Sequence, residues 1–364
     1  MVTGVADLAT VDRDRIARLD TLLDTLHDGQ GAGLTPTEAA VRTVTLRYQR
    51  ANLSGRDTDL RAAQDAAEEA LRQGLVSDNL LTALARIHLD NHDLKTTTEL
   101  LDRCRYGAAS ATVQGMRAAV LLQQGDAVAA ARLLRTLLTD EPSWEHLAGL
   151  AAVHDELDDL RAAEKLYQSA AHELDAKQLS ALAWVEVRRA RLARRAGDSA
   201  GARAYLRRAQ DAWFDWRVAA ESARYRLEEG DLSGAAALAE ALVSHTGRPD
   251  HEHLLADVHA AMGDRTSAAR HRDAALRGYA AAGRRWPWRY LHHQAELQLT
   301  AGTPADLGEA LRLAEDDHRA RPHRTTGRLL VTVLTACGHT ARANRLAAEL
   351  EEERRRALAA LDGY

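Results

Sequence analysis

Cysteine is almost missing from this chain: Cys104 and Cys337 are the only two, more than two hundred positions apart. A disulfide framework and a CxxC metal knuckle are both excluded by that spacing, and the two thiols are expected to be reduced and largely buried. Aromatic residues make up only 4%, with a single Phe, so the interior has to be built mainly from Ala and Leu. Lysine is confined to Lys95, Lys165 and Lys177, which leaves arginine to supply nearly all positive charge. An excess of one charge sign is also lacking. The net charge of −5 gives no global attraction to phosphates, so nucleic acid is not the expected partner. No run of about 18 apolar residues occurs, and the amino terminus has no basic region leading into an apolar stretch. Neither a membrane span nor a signal peptide is expected, and the cytoplasm is the expected compartment. The glycines at 29, 31 and 33 have no preceding strand and no following Lys, so they read as linker rather than phosphate cradle. No nucleophile–base motif or metal signature stands out, and neither catalytic residues nor a cofactor is expected.

A repeat takes the place of these features. A small residue recurs at Ala63, Thr97, Ala130, Ala163, Ala202, Ala235, Ala268, Ala310 and Ala343, at intervals of 34, 33, 33, 39, 33, 33, 42 and 33. In most units it follows a tight turn: Gly125-Asp126, Asp158-Asp159, Gly197-Asp198, Gly230-Asp231, Gly263-Asp264 and Gly338-His339. Such a period in a helical pattern predicts an all-α solenoid of stacked antiparallel helix pairs, with about nine repeats. Residues 1–34 are expected to form a capping helix, with Thr10 as N-cap, and a Gly-rich connector; residues 35–364 are expected to form the solenoid and a C-terminal cap. Thr35-Pro36-Thr37-Glu38 reads as a capping box that starts the array. The small residue lets the two helices of a unit approach closely. The intervals of 39 and 42 mark insertions around 173–183 and 280–288, with extra turn residues near 302–305, and are expected to fall in loops on one face.

The stretch from Trp144 to Leu174 carries the pattern most fully: Leu147, Leu150 and Ala151 in the first helix, then Asp158-Asp159-Leu160, Ala163, Tyr167 and Ala170. With Pro142 and Pro322 closing units, the chain resembles the tetratricopeptide repeats over residues 36–355. The resemblance implies a right-handed superhelix whose first helices line a concave groove that holds ligands. By that register the groove receives Trp184, Val187, Arg191, Arg194 and Arg195 from the fifth unit, and Arg217, Ala220 and Arg224 from the sixth. Residues 184–228 contain 11 Arg against 6 acidic residues. Guanidinium forks bind carboxylates bidentately, so an acidic peptide or a free carboxylate is the expected ligand. The competing reading pairs these arginines with Glu186, Glu221 or Glu228.

Three further clusters stand out. Aromatics gather at Asp211–Trp216, as inter-unit packing or with Trp216 or Trp184 as an anchor. His253, Asp257, His292 and Glu296 could face one another across the groove, which makes them weak metal candidates; no native metal is expected. In Arg284–Arg289, Pro287 fits the first position of a helix, while Trp286, Trp288 and Arg289 form a candidate secondary contact. The function expected from all this is a non-catalytic scaffold that binds a partner peptide or helix in its groove. The alternative is a regulator whose groove binds a signal and changes superhelical pitch to control a partner.

Overall fold

The computed structural model describes residues 6–27, 33–105, 107 and 109–362. Nineteen α-helices and no strand occur among the described residues. After α1 (Ala6–His27) come nine helix pairs: α2 (Pro36–Ser54) with α3 (Asp57–Arg72), α4 (Asp78–Asp90) with α5 (Leu94–Asp102), and α6 (Ala111–Gln123) with α7 (Ala127–Asp140). Then follow α8 (Trp144–Glu156) with α9 (Leu160–His172), α10 (Leu179–Arg195) with α11 (Ser199–Ala212), and α12 (Trp216–Glu228) with α13 (Leu232–Thr246). The last pairs are α14 (Pro249–Ala261) with α15 (Arg265–Gly283), α16 (Leu291–Ala301) with α17 (Pro304–Ala320), and α18 (Arg324–Ala336) with α19 (Thr340–Asp362). The chain is an all-α repeat solenoid.

The turn motif has a mechanism at both of its residues. Gly125, Gly197, Gly230 and Gly263 adopt φ between 76° and 84°, and His92 and Asp158 take the same left-handed conformation at 61° and 55°. The Asp that follows then caps the second helix. Asp93, Asp126, Asp159, Asp198, Asp231 and Asp264 each accept a hydrogen bond from the backbone N–H three residues on, at 2.8–3.2 Å. Their second oxygens are used as well: His88, His154 and His259 meet Asp93, Asp159 and Asp264 at 3.1, 3.0 and 3.6 Å, and Arg226 meets Asp231 at 3.0 Å. These histidines, five residues before the capping Asp, hold the turn.

All but one of the small-residue positions are buried in the stack. Ala63, Thr97, Ala130, Ala163, Ala202, Ala235 and Ala310 are 0% exposed and Ala343 is 2% exposed. Ala268 departs from the rule and is half-buried; in α15 it is Ala275 and Tyr279 that are fully buried. The longer α15 shifts the buried register along the helix.

Three other expectations are corrected. The first helix begins at Ala6, so Thr10 lies within it instead of capping it. The capping box at Thr35 and Glu38 forms as read, but the connector at 28–32, including the glycines at 29 and 31, lies outside the described residues. Pro287 belongs to a turn, and α16 starts only at Leu291.

First helices of consecutive units touch each other from α2 through α8, from α10 through α14, and between α16 and α18. The inner surface is therefore made of first helices. Comparable approach is missing between α8 and α10 and between α14 and α16, the two places where the sequence interval lengthens. The insertions thus spread first helices apart.

Successive turns of the superhelix also touch. One apolar cluster joins Ala51, Leu60, Ala63 and Ile87 of the first two units to Ala275, Tyr279, Trp286 and Tyr290. The segment between α15 and α16, expected as a surface loop, is this joint: the Trp286 indole N–H donates to Gln64 Oε1 at 2.7 Å, Arg289 donates to Asp57 and Asn91 at 3.1 and 2.8 Å, and Tyr290 donates to Asp57 at 2.8 Å. A second joint links unit one to unit six. There the Trp216 indole N–H donates to the Asn52 carbonyl at 2.9 Å, and Arg56 donates to the His245 carbonyl at 2.9 Å. A third fastens unit nine to units three and four, through His323, Thr325 and Arg324 on Glu156 and Asp158 and through Arg135 on the Leu361 carbonyl at 3.1 Å. Glycine stands at two of these approaches: a Cβ on Gly55 would meet the Trp216 ring at 2.9 Å, and one on Gly125 would collide with the Pro322 carbonyl oxygen.

Candidate interaction groove

Trp184, Arg188, Arg191 and Arg195 stand on one face of α10, at the helical spacings i, i+4, i+7 and i+11. This face looks toward α8 on one side and α12 on the other. Trp184 is half-buried and makes edge contacts with Trp144 at 6.2 Å and Tyr167 at 6.4 Å between ring centroids. These three rings occupy the widened step between α8 and α10, where alanine would leave a void.

Most of the arginines read as groove residues are bound to carboxylates of the chain itself. Arg191 and Arg194 donate to the two oxygens of Glu221 at 2.7 and 2.8 Å, Arg194 also reaches Glu228 at 3.1 Å, and Arg224 lies 3.9 Å from Glu221. Glu221 is 2% exposed. Burial pushes its carboxyl up, but Arg191, Arg224 and Arg194 together hold it below the usual range. Arg195 binds Asp155 and Asp158, two carboxylates of the α8–α9 turn. Arg217 is spent on a joint between turns: it donates to the Asn52 side chain at 2.7 Å and carbonyl at 3.0 Å, over the Trp216 ring.

Arg188 differs from all of these. It is half-buried, its guanidinium lies 4.9 Å from the Trp184 ring centre, and among the described residues no hydrogen bond or ion pair engages it. Burial, with Arg191 nearby, lowers its pKa. Every other arginine on α10 and α12 has an acidic partner. Sequence register did not single out Arg188, because what distinguishes it is the absence of a carboxylate that only packing reveals.

The histidine region beyond is paired differently. His253 lies 3.5 Å from Asp257, and His292 lies 3.4 Å from Glu296 and 3.2 Å from Asp317. His253 also meets the Tyr279 hydroxyl at 3.3 Å. Burial, assisted by Glu296, pushes the Asp257 carboxyl up to about 6, while burial lowers His253 to about 4. Burial would also lower His292, but its hydrogen bonds to Asp317 and Glu296 raise it to about 9. These residues form pairs along single helices and two contacts to the second helix of their own unit, His253 with Tyr279 and His292 with Asp317. Among the described residues no three His, Cys, Asp or Glu side chains converge as a metal set.

Of the candidate secondary contact, Trp286 is 3% exposed and Arg289 is held by Asp57 and Asn91, both within the joint described above. Trp288 alone of the three faces outward, at 37%.

No protein-family profile and no characterised protein matches the sequence at a significant level. Solved structures do resemble the fold. The Cut9 and Hcn1 hetero-tetramer of the APC/C is similar at a TM-score of 0.52 and 14% identity over 87% of this chain, which spans 59% of that one. A tetratricopeptide repeat protein from Parabacteroides merdae matches at 0.47 and 14%, covering 70% of this chain and 98% of the other. The human IFIT1 dimer with PPP-AAAA matches at 0.40 and 15%, covering 94% of each chain. The architecture shared with the first of these is an all-α helical repeat solenoid.

Proposed function

We propose that this tetratricopeptide-type solenoid is a non-catalytic interaction scaffold whose groove, across units four to six, holds an acidic segment of a partner protein or peptide. The observation that carries the reading is the crowding of Arg188, Arg191, Arg194, Arg195 and Arg224 on adjoining first helices around fewer carboxylates, one of which, Glu221, is shared by three of them. Guanidinium groups that share one carboxylate keep N–H donors to offer a second. Trp184 supplies an apolar anchor beside them. The surrounding architecture supports a scaffold, since a long inner surface gives many small contacts without enclosing a reaction from water. We assign residues 1–34 to capping and 35–364 to the solenoid, place the protein in the cytoplasm, and assign it no cofactor and no nucleic-acid partner. No described helix is long and apolar enough to cross a membrane.

A peptide array graded from acidic through neutral to basic segments tests the reading: the full chain is expected to retain acidic segments preferentially. Equal retention of neutral or basic segments would remove it. The second reading, a regulator, draws on the contacts between turns. A ligand that spreads the first helices has to work against those joints, so a regulator would show a ligand-dependent change in radius of gyration.

A further inference from the structure

Six residues before the left-handed glycine that closes each first helix, consecutive units carry equivalent positions: Arg191 before Gly197, Arg224 before Gly230, Asp257 before Gly263 and Glu296 before Gly302. The charge along this row reverses once, between units six and seven. All four side chains reach solvent, with exposures of 40%, 32%, 39% and 44%. They are also neighbours in a line. Arg191 and Arg224 share Glu221, Arg224 acts electrostatically on Asp257, and Asp257 in turn feels Glu296. The inner surface from α10 to α16 therefore has a positive end and a negative end.

Neither end is fully matched within the chain. At the positive end Arg191, Arg194 and Arg224 converge on the single buried carboxylate of Glu221, and Arg188, one turn before Arg191 on the same face, has no acidic partner. At the negative end two carboxylates adjoin each other. Glu296 has His292 at 3.4 Å, an imidazole that its hydrogen bonds keep protonated, with a pKa of about 9. Asp257 has only His253, at 3.5 Å, which burial keeps neutral, and among the described residues it forms no ion pair with an arginine or lysine.

We infer that this row is a bipolar docking strip for an extended partner segment, with an acidic residue over Arg191 and Arg224 and a basic residue, Lys or Arg, over Asp257 and Glu296. Packed helices lie about 8–10 Å apart, so two steps and the spread between α14 and α16 put the middles of the two ends about 20 Å apart, the reach of about six extended residues. A segment that is acidic throughout uses only half of the row, and its far end meets repulsion from Asp257 and Glu296. A basic residue there turns the repulsion into attraction. The strip rests on the acidic-groove reading above and adds to it a second end and a spacing.

The test is fluorescence anisotropy of the full chain with three rhodamine-labelled, amidated peptides: EEESGSRRR, the acid-only EEESGSQQQ, and ERESGSRER, which has the composition of the first with its charges interleaved. Wild type is expected to bind EEESGSRRR about tenfold more tightly than either of the others. Asp257→Asn should remove that gain, bringing EEESGSRRR within about twofold of EEESGSQQQ, while EEESGSQQQ itself binds no more weakly than to wild type, which also shows that the variant is folded. Arg224→Gln should weaken both peptides about threefold or more, and Glu240→Gln, a carboxylate removed from the exposed side of α13, should change neither by more than about twofold. If wild type binds neither EEESGSRRR nor EEESGSQQQ, the acidic groove itself fails. If it binds the two equally, or if Asp257→Asn keeps the preference, the groove stands and the basic end is overturned. Equal binding of ERESGSRER would overturn the spacing, and loss of EEESGSQQQ in Asp257→Asn would overturn the division of the row into two ends.

Discussion

Contacts within a unit and contacts between turns are made from different materials. Inside a unit, α6 meets α7 through Ala118, Ala127, Ala130 and Ala131, with Leu134 and Leu137 filling the remaining space. Between turns, Trp286, Tyr290 and Trp216 meet a side-chain amide, a carboxylate and a backbone carbonyl, and arginines add to the joints: Arg248 stacks 4.8 Å from the Trp216 ring centre, and Arg15 lies 3.4 Å from that of Trp213. A chain with few aromatics concentrates them where its repeat is least regular. The reason is geometric. Neighbouring helices of fixed spacing close on small residues, but turns brought together by accumulated curvature meet at irregular gaps, which only large side chains with polar ends can bridge.

The contrast can be broken most forcefully at Trp286. Trp286→Ala should cost about 3–5 kcal/mol by cavity formation and leave Gln64 without its donor. Thermal melting should fall accordingly, and small-angle scattering should show a larger radius of gyration as the joint opens. A lower melting point with unchanged dimensions would mean that the turns are held elsewhere. Within a unit, Ala163→Leu should cost about 1–3 kcal/mol by overpacking, with no change in radius of gyration. An unchanged melting point would refute the register. The smallest effect is a difference between two glycines in the same turn position. Gly125→Ala and Gly197→Ala both place a side chain at left-handed φ, about 1–2 kcal/mol each, but only the first meets the Pro322 carbonyl. Gly125→Ala should therefore melt lower than Gly197→Ala, and equal melting would show that unit nine does not press on unit three.

The repeat and its turn chemistry were legible in the sequence because both are local. A Gly-Asp pair prescribes a left-handed residue and an N-cap wherever it occurs, and an alanine every 33 or so residues prescribes a helix crossing. The groove was legible only as a register. Arg191, Arg194 and Arg195 could be placed on inner helices, and the competing reading that paired them with Glu221 and Glu228 holds for Arg191 and Arg194, but that Asp155 and Asp158 take Arg195 depends on neighbouring units that spacing alone does not align. Trp286 and Arg289 read as an exposed cluster because their partners, Gln64, Asp57 and Asn91, lie some two hundred residues away. The histidines illustrate both sides. His259 belongs to a turn staple that a five-residue spacing to Asp264 could have revealed, whereas the pairing of His292 with Asp317 required α16 and α17 to be packed.

The sequence by itself determined the helices, their caps and the tight crossing within each unit, because hydrogen bonds and small-residue packing at short separation leave little choice. Tertiary structure alone decided how far the stack curves, and with that which arginines are satisfied. Curvature adds a small rotation per unit, and the sum over several units brings unit one against units six to eight and unit nine against units three and four. The intervals of 39 and 42, evident in the sequence only as irregularities, acquire their meaning there: one opens the step that contains Arg188 and Trp184, and the other supplies the residues that join the turns.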